Sequence, residues 1–173
     1  KGISKSYDGE KVIDSMNLYI KERVFTWGDK FDVCDHNGTP KYYVEGEVFS
    51  WGKKLHVYDK YNREVAFIKQ ELFTFMPSYC VFVGGREIAR VCKEFSFFRP
   101  RYYVEGLNWD VEGHFWEHDY DVTKNGRNIV SIAKEWMTWG DSYELDIAPE
   151  ADEIVALAVV ITIDCVVEQQ NNN

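Results

Sequence analysis

Bulky and polar residues alternate along most of this chain, in short runs that recur at a nearly constant spacing. The segments that begin at Phe25, Phe49, Phe73 and Phe95 each place an aromatic residue, a serine or threonine and a second aromatic residue in succession, at steps of 24, 24 and 22 residues. A related segment begins at Met137. Because a period of two is typical of a strand that buries one face, we predict that each copy is a half-buried β-strand whose aromatic pair joins the core. A repeat length in the twenties indicates one supersecondary unit that is used several times.

Turn residues separate the alternating runs. Asn-Gly pairs occur at residues 37–38 and 125–126, and this pair is the strongest short signal for a hairpin because both residues tolerate a positive φ. Between Leu18 and Ile147 the runs amount to about twelve strands, and no linker or change of composition divides them. We therefore predict an all-β domain, either a sandwich or a barrel.

The pattern changes near the C-terminal end of the chain. Pro149 to Glu153 has the proline and the acidic residues that favour the first turn of a helix. The stretch that follows, up to Val167, is apolar over about 14 residues, which is shorter than the roughly 20 residues that a bilayer requires. A helix that is apolar on all sides and does not span a membrane must be buried. We expect this helix to lie inside the sheet.

These patterns divide the chain into three segments. Residues 1–15 are polar, lie outside the repeats and lack the apolar stretch of a signal peptide, so we interpret them as a flexible extension or an addition to the native chain. Residues 16–168 are predicted to form a single domain. Residues 169–173 contain only glutamine and asparagine, and we expect them to be a disordered tail.

Three segments resemble the LURP-one-related family, whose domain is similar to the C-terminal domain of tubby proteins. They are Phe-Thr-Trp-Gly-Asp at 25–29, Tyr-Tyr-Val-Glu-Gly at 42–46, which returns at 102–106, and the apolar run at 155–161. The resemblance extends over nearly the whole chain. It implies a tubby-like closed antiparallel barrel of about twelve strands around one buried C-terminal hydrophobic helix, in agreement with the strand count and the helix position above. Closure also removes the exposed edges that so many strands would otherwise present.

The resemblance implies less about activity. Tubby domains bind phosphoinositide headgroups through basic residues on the barrel surface, and the phospholipid scramblases are similar in fold. The LURP-one-related branch has no established activity that its motifs reveal, and a shared fold does not transfer a function. This chain lacks the C-terminal membrane anchor and the cysteine cluster of the scramblases, which opposes a lipid-scrambling activity.

The net charge and the cysteine content of the chain indicate which partners and which cellular compartment to expect. A formal net charge of −9 opposes non-specific binding to nucleic acid, and we expect no nucleic-acid partner. The four cysteines form no Cys-x-x-Cys pair and no recognisable disulfide framework. Reduced thiols indicate a cytoplasmic protein, which we expect to be either free or peripheral at a membrane, without a transmembrane segment.

One stretch of the chain combines basic and aromatic residues, a combination that suits the capture of phosphate headgroups. Strand alternation places Arg86 and Arg90 on one face and Lys93 on the other, whereas Arg99 and Arg101 share a face. We take these residues as the candidate ligand-binding set. The alternative is a solvated outer strand face, on which neighbouring glutamates balance the basic side chains.

A second motif, His114-Phe115-Trp116-Glu117-His118, matches the His-x-x-Glu-His pattern of some zinc proteases. That chemistry needs a helix, which places both histidines one turn apart so that they can share an ion. The surrounding sequence is strand-like, and positions four apart on a strand are separated by about 13 Å. We therefore interpret the histidines as surface or pocket-lining residues, and we expect no metal, no other cofactor and no catalytic residues.

The leading functional hypothesis is a non-catalytic binding or scaffold module that acts through its outer surface or loops. Its candidate ligands are anionic phospholipid or phosphoinositide headgroups. The first alternative is a protein–protein interaction module without lipid binding, and the second is a hydrolase with its site in a surface cleft. The helix and the aromatic pairs are expected to fill the barrel, which opposes an enzyme whose site is the barrel interior.

Overall fold

The computed structural model of the 173-residue chain describes residues 15–21, 30–97, 100–137 and 140–171. Within these residues, twelve antiparallel strands form a closed barrel and one α-helix follows them, as predicted. The strands are β1 (Met16–Lys21), β2 (Lys30–Cys34), β3 (Pro40–Gly46), β4 (Lys54–Asp59), β5 (Glu64–Gln70), β6 (Ser78–Val83), β7 (Arg86–Glu94), β8 (Arg101–Glu105), β9 (Trp109–His114), β10 (Asp119–Lys124), β11 (Arg127–Met137) and β12 (Gly140–Ile147). A short 3-10 helix (Phe115–Glu117) lies between β9 and β10, and α1 (Glu153–Asn171) ends the described chain.

Each strand pairs with the next one in the sequence, and β1 pairs with β12 to close the barrel. Successive connections therefore alternate between the two ends of the barrel. The helix begins beside the connection β2–β3, where Lys41 Nζ lies 2.7 Å from Glu153. It ends beside the connection β3–β4, where Lys53 Nζ lies 2.6 Å from Glu168 Oε2. We call these the helix-entry end and the helix-exit end.

The barrel core is formed by inward residues of the strands together with the middle of the helix, residues 156–167. Leu55, Ile68, Val81 and Ala89 illustrate the register, because each is paired with the next across four neighbouring strands and all four are buried. Small and β-branched side chains at these positions leave room for the helix. Residues 156–163 of α1 are completely buried. The prediction of a buried helix is thus confirmed.

Among the residues described, no helix has the length and apolar character that crossing a membrane requires.

The helix starts later and ends later than predicted. Pro149 lies in a turn, and the helix begins at Glu153 because Asp152 caps it: the Asp152 carboxylate accepts a hydrogen bond of 3.0 Å from the backbone N–H of Val155. At the other end, residues 169–171 continue the helix instead of forming the expected tail. Gln170 donates a hydrogen bond of 3.1 Å to the hydroxyl of Tyr102, which ties this last turn to the barrel wall.

The three aromatic triplets that the structure describes in full are not strands, and the prediction that these copies contribute to the core is wrong. The copies at 49–51 and 73–75 lie in the connections β3–β4 and β5–β6, and the copy at 95–97 follows β7. Their aromatic rings are exposed. Three alternating residues are too few to establish a strand, and Gly52, Pro77 and Pro100 interrupt the pairing nearby. The copy at 25–27 and residues 138–139 lie outside the described residues.

One glycine offers a test of the strand register. Gly113 in β9 pairs with Tyr120 and has φ +140°, and a Cβ there would lie 2.5 Å from the Cα of Tyr120. We expect Gly113→Ala to lower the free energy of unfolding by about 3 kcal/mol or more, since it adds both backbone strain and a clash between strands. Gly126 is the control, because it has φ +74° and a Cβ added to it would meet no atom within 4 Å. Gly126→Ala should cost only about 1 kcal/mol in urea denaturation; equal losses would contradict this register.

Candidate functional site

Exposed apolar side chains gather at the helix-exit end of the barrel. Three neighbouring connections carry them: residues 47–53 between β3 and β4, 71–77 between β5 and β6, and 95–100 between β7 and β8. Phe49 and Phe73 are 100% and 101% exposed. We call this surface the crown; its described side chains are Val48, Phe49, Trp51, Leu72, Phe73, Phe75, Phe95 and Phe97. An exposed apolar surface of this kind marks a site of contact with a protein or a membrane.

The local backbone explains why the crown side chains point away from the barrel. Ser50 Oγ donates a hydrogen bond of 2.7 Å to the carbonyl of Gly52, which tightens the first connection. Phe73 has a positive φ of 62°, so the second connection turns sharply at this aromatic residue. Both connections thus satisfy polar groups close to the barrel and leave the large side chains on the outside.

The first crown connection is also anchored to the helix. Lys53 is 8% exposed, and its ammonium group forms an ion pair of 2.6 Å with Glu168. The backbone N–H of Lys53 donates to the side-chain carbonyl of Gln70 at 2.7 Å, which joins the connection to β5. The second connection is held in a similar way, because Ser78 Oγ donates a hydrogen bond of 2.6 Å to Glu71. Side-chain contacts with the helix and with the neighbouring strands therefore anchor the first two crown connections.

The charge around the crown differs in sign from that of the whole chain. The stretches 47–54, 69–77 and 93–101 contain six lysine and arginine residues and three glutamates, a net charge of +3 in a chain whose total is −9. The rest of the chain is correspondingly more acidic. The crown stretches are thus less acidic than the rest of the chain, although Lys53 within them is nearly buried and paired with Glu168.

The structure does not bring the four described members of the predicted ligand-binding set together, because Arg86 and Arg90 lie apart from Lys93 and Arg101. Arg86 begins β7 at the helix-entry end, far along the strand from the crown. Arg90 lies at the middle of β7 among three carboxylates, with nitrogen–oxygen distances of 3.3 Å to Glu71, 3.2 Å to Glu87 and 3.8 Å to Glu105. Because these carboxylates compensate its charge, Arg90 is poorly placed to attract an anion.

Arg86 and Arg90 do not share a face of the sheet, contrary to the prediction. Their partners on β6 are Val83 and Cys80, which are three positions apart in a regular strand and so point to opposite faces. The register shifts between Val81 and Phe82, where β7 has one additional residue, Ile88. A single bulge is enough to reverse the side on which every earlier residue of β7 lies.

Two of the other predicted basic residues, Lys93 and Arg101, lie at the helix-exit end. Lys93 pairs with Tyr102 and Arg101 pairs with Glu94, next to the third crown connection. Arg99 lies outside the described residues, between these two positions in the sequence. The structure therefore brings Lys93 and Arg101 near the crown and leaves Arg86 at the opposite end.

A buried polar network lies inside the helix-exit end. Asp164 on α1 accepts a hydrogen bond from the hydroxyl of Tyr143, and its other oxygen is 3.7 Å from His118 Nε2. The imidazole ring of His118 stacks on the ring of Tyr143 with centroids 4.2 Å apart. Burial raises the pKa of Asp164 to about 6 from its ordinary value of 3.8, although His118, the Tyr143 hydroxyl and Lys53 all oppose this rise.

The same contacts separate the two histidines of the His-x-x-Glu-His motif. His118 follows the 3-10 helix and packs inside the barrel, whereas His114 is exposed at the end of β9 and lies 3.9 Å from Asp119. Over the described part of the chain, no three histidine, cysteine or carboxylate side chains are arranged to hold a metal ion.

Sequence reasoning missed the crown because it assigned the aromatic triplets to strands. A turn-forming residue follows each of these triplets, namely Gly52, Pro77 or Pro100, and this signal could have identified the triplets as connections. The ion pair of Lys53 with Glu168 and the network around Asp164 had no comparable signal, since their members are more than 20 residues apart in the sequence.

Comparison with known proteins gives a family and a fold. The profile of the family described as LURP-one-related matches residues 16–164. The uncharacterized protein YxjI of Bacillus subtilis (strain 168) is 33% identical over 152 residues, which cover 87% of this chain and 93% of that protein. An Arabidopsis thaliana protein of known X-ray structure is 16% identical, with a TM-score of 0.63 over 92% of this chain and 93% of the other. At this identity the second likeness concerns the fold alone.

The buried carboxyl of Asp164 predicts a specific pH dependence. A pKa raised on folding means that its contribution to stability is fully present below about pH 4 and is lost as the pH rises through about 6. Asp164→Asn keeps an acceptor for Tyr143 but does not titrate. The free energy of unfolding of the variant, relative to the wild type, should therefore increase by about 3 kcal/mol across this interval. Urea denaturation at several pH values measures it, and a constant difference would contradict the assignment.

Proposed function

The chain belongs to the LURP-one-related family, and from its crown we propose that it is a non-catalytic binding module that docks against an anionic phospholipid surface. Family membership by itself names no reaction and no ligand. The proposal therefore depends on the physical character of the helix-exit end.

The exposure of the crown is the observation that carries this proposal. Its eight described side chains come from three neighbouring connections, and six of them are phenylalanine or tryptophan. Aromatic rings are favourably placed at the level of lipid headgroups, where the apolar ring leaves water without entering the hydrocarbon fully. A bilayer surface can receive all three connections together, since they project from the same end of the barrel.

The local charge favours an anionic surface over a neutral one. The crown stretches carry a net charge of +3, and each lysine or arginine near an anionic membrane contributes about 1 kcal/mol of attraction. Of the residues predicted from the sequence, Lys93, Arg99 and Arg101 belong to these stretches, so we propose them as the headgroup contacts. Arg90, surrounded by carboxylates, and Arg86, at the other end, are left out of the proposed surface.

A protein-interaction module without lipid binding is the alternative. The total charge of −9 favours it, because surfaces directed at membranes are usually basic. A protein partner that covers the crown would also bury the aromatic rings. The two functions differ in one simple respect, since only the first requires binding to vesicles that contain no protein.

Cosedimentation with vesicles tests the role of the aromatic rings. We expect the wild type to bind vesicles that contain phosphatidylserine or a phosphoinositide, more strongly at low salt, and to bind neutral vesicles weakly. Replacing Phe49 and Phe73 together by serine should weaken this binding roughly tenfold or more. Both side chains are fully exposed, so the fold should be unaffected.

Tyr61→Ser is the matched control for that experiment. Tyr61 is also aromatic and 67% exposed, but it lies in the connection β4–β5 at the helix-entry end. Its replacement should leave vesicle binding unchanged. If the wild type binds no vesicle, the lipid proposal is wrong and the protein-interaction alternative stands; if Tyr61→Ser weakens binding as much as the crown variant, the crown is not the contact surface.

Basic substitutions test the headgroup contacts separately. Replacing Arg99 and Arg101 together by alanine should abolish binding to anionic vesicles, because it removes two of the positive charges of the crown stretches. Arg86→Ala removes one charge of the same kind at the opposite end and should have little effect. Binding that persists in the double variant, or that falls equally in both variants, would contradict this assignment.

A further inference from the structure

His56 lies on β4 between two carboxylates. Its Nδ1 atom is 2.6 Å from Glu64 Oε2, and its Nε2 atom is 2.9 Å from Glu47 Oε1. A neutral imidazole carries a proton on only one nitrogen, so it would turn a lone pair toward one of these carboxylates. An imidazolium donates to both. The geometry around His56 is therefore that of the charged ring.

One of the two carboxylates belongs to the crown. Glu47 is the first residue after β3, and its backbone N–H donates to the carbonyl of Lys54 at 3.0 Å, which closes the base of the connection 47–53. Lys54 Nζ also lies 3.1 Å from Glu47 Oε2. Glu64, on the other side of the ring, is the first residue of β5. His56 thus links the base of the first crown connection to a neighbouring strand.

We propose that His56 is a protonation-controlled clamp on the first crown connection. When the imidazole is charged, it holds Glu47 and Glu64 together and fixes the connection that carries Phe49 and Trp51. When the imidazole is neutral, it can donate to only one of the two carboxylates, so the link between Glu47 and Glu64 is lost, and the connection is held at its base only by the contacts of Glu47 with Lys54. This regulation rests on the proposed function, since it acts on the same docking surface.

The surroundings of His56 are consistent with a charged ring. From β3, Glu45 is its register partner and forms an ion pair of 2.6 Å with Lys30 of β2. From β5, the ring of Phe67 packs against the imidazole with centroids 4.8 Å apart. The other titratable groups on this face beside it are those of Glu47, Lys54, Tyr58 and Glu64, and that of Lys69, which lies two residues beyond Phe67 on β5. The two charged groups that hydrogen-bond to the ring are both carboxylates, those of Glu47 and Glu64.

The expected direction of the pH dependence follows from these contacts. Burial alone would lower the pKa of His56, but the hydrogen bonds to Glu64 and Glu47 outweigh it and raise the pKa above the ordinary 6.5. A raised pKa means that the clamp is fully formed below pH 6.5 and is lost as the pH rises through the higher folded value. The first crown connection should thus be better ordered below pH 6.5 than above the raised pKa of His56.

NMR of the protein without lipid tests the clamp directly. The pKa of His56, measured from its imidazole signals, should lie above the ordinary 6.5. The backbone amide signals of residues 48–52 should shift with pH with the same midpoint. In His56→Gln these amide shifts should disappear. The control is His36→Gln, because His36 is exposed in the connection β2–β3 at the helix-entry end; in this variant the amide shifts should persist.

Vesicle binding provides the second measurement. With phosphatidylserine vesicles at constant salt, the wild type should bind about fivefold more tightly at about pH 6 than at about pH 8. His56→Gln should lose most of this difference, and His36→Gln should retain it. Both substitutions remove one histidine, so their comparison separates the clamp from a general change of charge.

The two measurements distinguish the clamp from the docking function. Amide signals that follow His56 support the clamp even if no vesicle is bound, in which case the proposed function alone is contradicted. The clamp is overturned if the amide signals of residues 48–52 do not shift with the protonation of His56, or if the pKa of His56 is 6.5 or lower. Either result leaves the vesicle-binding tests of the crown variants unaffected.

Discussion

The enclosure of an apolar helix by a closed barrel is the constraint on which the rest of this structure depends. Residues 156–163 of α1 are completely buried, so the helix has no face that could lie against water along most of its length. A single layer or an open sheet would cover one side only. Twelve strands that close on themselves surround all of it, and closure also leaves no strand edge unpaired among the described residues. The helix and the barrel are therefore stable only together.

This enclosure determines where the protein can interact with other molecules. Over the described residues, the barrel interior is occupied by the helix and by the inward side chains of the strands. Polar residues of the helix meet the barrel near both of its ends: Glu153 pairs with Lys41 at the first turn, and Asp164 and Glu168 contact Tyr143, His118 and Lys53 towards the last turns. The contacts at the helix-exit end hold the last turns of the helix against the barrel wall. The crown connections at this end carry large apolar side chains that lie outside the core.

The crown joins this architecture to the proposed function. Its aromatic residues are excluded from the interior by the helix, and they are presented together because the connections β3–β4, β5–β6 and β7–β8 leave the barrel at the same end. Basic residues in the same stretches oppose the acidic character of the rest of the chain. The proposed clamp formed by His56 with Glu47 and Glu64 would make one of these connections dependent on protonation. The exposed apolar side chains, the basic residues and the proposed protonation of His56 thus all concern the crown.

The fold was largely predictable from the sequence, whereas the candidate site was not. Period-two alternation, Asn-Gly turns and a short apolar helix are local signals, and together they determined the strand number and the burial of α1. The placement of side chains relative to the barrel depended on register. One bulge at Ile88 separated Arg86 from Arg90, and the aromatic triplets became connections because pairing ended before them. Contacts such as Lys53 with Glu168 and Asp164 with Tyr143 join residues far apart in the chain. Local alternation records which face of a strand is apolar, but only the closed tertiary structure decides which residues meet at its ends.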